Sequence, residues 1–132
     1  MIDLAGVFDE YERLLLLSPA VARWALIKRR VQDSGGYIRM RAELVDDGLL
    51  EISEYWAETS DAELARLEYS FHWQAADGQL RLRWDNAAHH PELPNAPHHL
   101  HRADGLAEGS GALPTLSIIL RTIENELRLV LE

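Results

Sequence analysis

The chain has no cysteine. Disulfides, thiol nucleophiles and cysteine-ligated zinc are therefore excluded, as expected of a reducing compartment. No apolar run approaches the ~20 residues that a membrane-crossing helix needs. The first residues, MIDLAGVFDEYE, lack the basic-then-apolar layout of a signal peptide. The expectation is a soluble cytoplasmic protein with no membrane partner. A glycine-rich phosphate loop, a serine-centred elbow, a dinucleotide fingerprint and a helical HExxH are also missing. Positive charge is scarce: 13 Lys and Arg stand against 22 Asp and Glu, a net charge of −9. That balance argues against nonspecific nucleic-acid binding, because like charge repels phosphate. The acids, however, gather near the two ends and in turns, while several arginines fall on predicted strands. A local basic face is compatible with the negative total.

What is present fits one domain of 132 residues. A chain of this size buries roughly two-thirds of its unfolded surface, enough for one core. Residues 3–17 read as a helix capped by Asp3, with Leu4, Val7, Phe8, Tyr11, Leu14 and Leu15 at helical spacing. Ser18-Pro19 ends it. Residues 21–32 suit a helix or a strand, and the turn Asp33-Ser34-Gly35-Gly36 after them favours a strand. In 37–45, Ile38, Met40, Ala42 and Leu44 alternate with Tyr37, Arg39, Arg41 and Glu43. In 49–57, Leu50, Ile52 and Trp56 share one face with Glu54, while Glu51, Ser53 and Tyr55 take the other. A carboxylate at Glu54 calls for a partner, an arginine or a loop histidine.

The centre of the chain is 67–101, LEYSFHWQAADGQLRLRWDNAAHHPELPNAPHHLH. Strands over 65–75 and 79–86 close on the turn Ala76-Asp77-Gly78. Tyr69, Phe71, Trp73 and Trp84 fall on the apolar face and read as core rather than as base-stacking groups. His72, Arg81, Arg83 and Asp85 fall on the polar face. Residues 87–113 read as a His/Pro-rich loop, and 114–131 as a helix opened by Pro114 with Leu116, Ile119, Leu120, Ile123, Leu127, Val130 and Leu131 on one stripe. The predicted fold class is α+β: an antiparallel meander of about five strands with the N- and C-terminal helices packed on one face. The other face is left open, and a register slip of one residue would exchange the two.

Two constellations on this frame carry chemistry. Arg39 and Arg41 on one strand, and Arg81 and Arg83 on another, would project from the same face, and arginine forks match phosphate oxygens. With His72 on that face and His89 or His90 past its edge, these residues supply the parts for metal-free RNA cleavage: a base, an acid and a cation. Asp85 would orient a histidine or pair with an arginine. The competing reading is a solvated face of cross-strand pairs such as Arg41–Glu51 or Arg81–Glu68. The second constellation is His89, His90, His98, His99 and His101 between Pro91, Pro94 and Pro97. It is a candidate zinc or nickel site, or else a stiff loop whose histidines bond to backbone. The catalytic reading needs no cofactor.

The run YSFHWQAADGQLRLRWDNAAHHPELPNAPHHLH, with GGYIRMRAELVDDGLLEISEYW upstream, resembles TumE-like proteins, toxins of bacterial toxin–antitoxin pairs. The resemblance spans about residues 35–101, and HHPELP…PHHxH is its most distinctive element. The chain departs from the family pattern at Ala88, Ala96 and Leu100. The resemblance implies a small cytoplasmic toxin that blocks growth, by RNA cleavage or another arrest of translation. It also implies neutralisation by a cognate antitoxin, a DNA-binding helix-turn-helix protein. The alternatives are a metal-binding protein or metal-dependent hydrolase built on the histidine cluster of residues 89–101, and a non-catalytic protein-binding module; the oligomeric state is open, a homodimer included.

Overall fold

A computed structural model of the chain describes residues 2–86, 98–102, 104, 107–109 and 113–129. Helix α1 (Leu4–Leu17) leads into strands β1 (Val21–Gln32), β2 (Gly35–Leu44), β3 (Leu49–Glu58), β4 (Leu64–Gln74) and β5 (Leu80–Asp85). Two short strands follow, β6 (His99–Arg102) and β7 (Ala107–Gly109), and then helix α2 (Leu116–Glu126). The seven strands lie side by side in chain order, each antiparallel to the next. The fold is α+β, an antiparallel meander with both helices on its apolar face.

The register follows from the alternation. Met40, Ile52, Phe71, Trp84 and Leu100 stand opposite one another in turn and form one apolar row across five strands. Phe8 and Leu15 of α1 and Leu116, Ile119 and Ile123 of α2 complete the core with no exposure. Asp3 caps α1 by accepting from the Gly6 amide at 3.1 Å. Arg29 of β1 fastens that helix to the sheet through Asp9 at 2.8 Å, Glu12 and the Ala5 carbonyl. Gly36 permits the approach, since a Cβ there would stand 2.7 Å from Leu4 Cδ2. Gly78 supplies a φ of 86° in the β4–β5 turn.

Two expectations need correction. The segment 87–113 is not loop throughout, because β6 and β7 extend the sheet beyond β5. His-Leu-His-Arg is too short to register as a periodic run, and Ala-Glu-Gly has little strand preference of its own. Both are strands because β5 offers a paired edge and Leu100 opposite Trp84 continues the apolar row. The C-terminal helix also ends at Glu126 rather than near 131. Arg128 turns left-handed (φ 59°), and the Leu129 and Arg128 amides bond back to the Glu124 and Asn125 carbonyls. Its N-cap is Thr115, so Pro114 stands just before the helix rather than in its first turn.

Candidate functional site

The face away from the helices carries two polar rows. Arg41, Glu51, His72, Arg83 and His101 stand opposite one another in turn across β2 to β6. Arg39, Ser53, Ser70 and Asp85 form the neighbouring row, and the backbone of His99 pairs with Asp85. Adjacent strands lie about 4.8 Å apart, so His72 and His101 flank Arg83 with Cα atoms about 10 Å from each other. Arg39, Glu51, Ser53, Ser70, His72 and Arg83 line a shallow groove of about 350 Å³.

Asp85 organises one side of the groove. It is buried, yet its Oδ2 accepts from Arg83 Nε at 2.9 Å and lies 3.3 Å from His101 Nε2. Arg83 Nη1 lies 3.4 Å from His72 Nδ1, and His72 Nε2 lies 3.1 Å from Gln74 Oε1. A guanidinium only donates, so this Arg83 contact needs the lone pair of a neutral His72 with its proton on Nε2. A chain of polar contacts thus runs His101–Asp85–Arg83–His72–Gln74 over three strands. The sequence assigns His101 to a candidate metal cluster or to a stiff loop bonded to backbone, whereas the fold sets it beside Arg83. The missed signal was its position after Leu100, which an extra strand would place on the polar face.

The four arginines are divided. Arg39 and Arg41 both reach Glu51, at 3.5 and 3.4 Å, with half of each side chain exposed. Arg83 stands at the centre of the groove. Arg81 does not share its face. A bulge leaves Arg81 without a partner in the ladder, where Trp73 pairs with Leu82 and Gln74 with Leu80. Its guanidinium lies on the helix side, 5.1 Å from the Trp73 ring centroid and 4.0 Å from both Asp46 and Glu126. Simple alternation placed Arg81 with Arg83, and one extra residue reverses it.

Residues 11–128 match the family described as Toxin TumE. The chain belongs to that family. The TumE match runs from α1 through β7 to the end of α2, well beyond the hairpin and histidine segment that carried the resemblance. It supports a toxin role for the chain. No curated protein and no solved structure matches it. No helix among the described residues of this TumE-family chain is long and apolar enough to cross a membrane.

Of the histidine-rich segment of this TumE-family chain, His89 and His90 lie outside the described residues, as does the side chain of His99. The two described histidines part company. His101 stands beside Arg83 in the polar row and reaches Asp85, whereas His98 lies against the apolar side, its ring stacked on Tyr69 at 5.7 Å and its Nδ1 2.8 Å from the Tyr69 hydroxyl. Among the described residues no three His, Asp or Glu side chains gather in a way that could hold a metal ion. Glu54 has its partners elsewhere: it is 1% exposed and receives Tyr11 Oη at 2.7 Å, Trp56 Nε1 at 2.9 Å and Arg66 Nη1 at 2.9 Å. Arg66 also lies over the Tyr69 ring at 4.3 Å. This buried cluster links α1, β3 and β4 to His98 and supports the sheet from beneath the groove. Tyr69, Phe71, Trp73 and Trp84 are buried, as their alternation requires.

Proposed function

We propose that the chain is the toxin of a toxin–antitoxin pair and arrests growth by metal-independent cleavage of RNA on its open sheet face. The supporting observation is the row His72–Arg83–His101, with buried Asp85 touching both Arg83 and His101. Arg83 holds the scissile phosphate, and Arg39 and Arg41 hold its neighbours by exchanging Glu51 for phosphate oxygens. Neutral His72 takes the proton of the 2′-hydroxyl through Nδ1 as the phosphate draws Arg83 away. The 2′-oxygen attacks phosphorus, and the P–O5′ bond breaks. His101, its Nε2–H directed at Asp85, delivers a proton to the departing 5′-oxygen from Nδ1. The products are a 2′,3′-cyclic phosphate and a free 5′-hydroxyl, so atoms and protons balance without a cofactor. Asp85 fixes the ring of His101 and the fork of Arg83.

The polarity of the sheet is consistent with this use. Nine of the 13 Lys and Arg residues lie on β1 to β5, but only six of the 22 acids do; three of the nine, Arg29, Arg66 and Arg81, turn to the helix side and six remain for the open face or its edges. The acidic surface lies mainly on helices and turns, where a basic antitoxin of helix-turn-helix type finds its complement.

The test is induction of the chain in bacteria without an antitoxin, beside a folded His72→Ala variant, with total RNA examined before and after. Growth arrest with RNA cut only by the wild type supports the reading. Arrest with RNA intact retains the toxin and removes the mechanism.

A further inference from the structure

We propose that Tyr55, with Tyr37 beside it, forms a base-stacking platform that makes the open face select single-stranded RNA. The proposal rests on reading this face as RNA-binding. Tyr37 and Tyr55 stand directly opposite each other on β2 and β3, in the row beyond Arg39 and Ser53. Tyr55 is 43% exposed, whereas Tyr69, Phe71, Trp73 and Trp84 are all within the core. The core is complete without these two rings.

Their surroundings fit a nucleotide. Tyr37 and Tyr55 line a second depression of about 440 Å³ that shares Ser53, Ser70 and Arg83 with the groove of the histidine row. The Lys28 ammonium lies 5.7 Å from the Tyr37 ring centroid, so a cation stands beside a ring face. Rows on one face are about 7 Å apart, which places the tyrosines about 14 Å along the strands from His72. A chain bound across Arg83 and Arg39 therefore brings a base near the tyrosines while its scissile phosphate stays between the histidines. Leu67 is an exposed aliphatic side chain at the rim of this depression. Glu68, directly opposite Tyr55, and Asp85 line the depression with Ser53, Ser70 and Arg83, so its tyrosine end suits a neutral base face and the phosphates stay with Arg83 and Arg39. A duplex keeps its base faces stacked inside, and only an unpaired base offers one to a ring.

The test uses the full chain and a labelled eight-nucleotide single-stranded DNA, which has no 2′-hydroxyl and is not cleaved by the proposed route. Fluorescence anisotropy is expected to show that it binds more tightly than a duplex of equal length. Tyr55→Ala is expected to weaken binding about tenfold, while Tyr55→Phe leaves it unchanged. Unchanged affinity in Tyr55→Ala, equal affinity for the duplex, equal affinity for polyglutamate, or no binding at all overturns the platform. The outcomes separate it from the cleavage reading. Tyrosine-dependent binding by a chain that cuts no RNA keeps the platform and removes the mechanism. RNA cleavage with binding indifferent to Tyr55 does the reverse.

Discussion

His101 Nε2 lies 3.3 Å from Asp85 Oδ2, across the boundary between β5 and β6. Asp85 is the last residue of the β5 strand, and His101 arrives from the far side of the proline-rich segment. The contact brings beside Arg83 a residue 16 positions downstream of Asp85. It is built on strand pairing, which is a more rigid support than a loop.

Asp85→Asn keeps the shape of the side chain and removes its charge. RNA cleavage is expected to fall by about 10- to 100-fold, with kcat affected more than KM. Retention of the wild-type rate in Asp85→Asn would reduce Asp85 to a structural group.

The two histidines are expected to act as a pair. His72→Ala and His101→Ala should each lower cleavage by about 10²- to 10⁴-fold, and the double variant should fall little further. Circular dichroism checks that each variant is folded. Full activity in His101→Ala would remove it from the acid role.

Arg83 and Arg81 separate the site from its support. Arg83→Ala is expected to abolish cleavage. Arg81→Ala removes a cation over Trp73 on the opposite face and costs about 0.5–2 kcal/mol of stability, leaving cleavage within a few-fold of the wild type. Urea unfolding and a cleavage assay on both variants decide it, and equal loss of activity would put Arg81 back on the groove.

Glu54→Ala leaves Arg66 buried without its carboxylate and takes the acceptor from Tyr11 and Trp56. Destabilisation of about 3–5 kcal/mol is expected by urea unfolding, because removing one partner strands the other charge. A loss below 1 kcal/mol would show that the cluster relaxes into solvent.

Alkaline pH is expected to unfold the protein through its buried phenols. Burial pushes Tyr69 up to about 12, with Arg66 opposing and Asp85 adding to the rise. Burial and the Glu54 carboxylate raise Tyr11 as well, again against Arg66. Both folded pKa values exceed the unfolded value of about 10. The stability these phenols contribute is therefore complete below pH 10; the Tyr69 share is lost as pH rises through about 12, and the Tyr11 share at higher pH. Tyr69→Phe should flatten the decline of the urea midpoint over that range. An identical decline in this variant would assign the effect elsewhere.

Much of this was legible in the sequence for a physical reason. Period-two alternation in β2 to β5 specifies both the sheet and its buried face, so Ile38, Met40, Phe71 and Trp73 declare themselves core. The same alternation put His72, Arg83 and Asp85 together on the other face. It misplaced Arg81, because a bulge adds a residue without leaving a compositional mark. It missed β6, where four residues are too few to show a period, and with it the position of His101. Tyr37 and Tyr55 were visible on the polar side of their strands, but their use depends on the depression they share with Arg83, which only the assembled sheet reveals. Glu54 announced its need for a partner, yet Tyr11, Trp56 and Arg66 converge on it from three elements.

The most direct test of the account is incubation of purified protein with a single-stranded RNA in excess EDTA, followed by mapping of the product ends. Cleavage at the rate seen without EDTA, 2′,3′-cyclic phosphate and 5′-hydroxyl ends, and no products from His72→Ala are expected. Products bearing 5′-phosphates, or activity that EDTA abolishes and added metal restores, would contradict it.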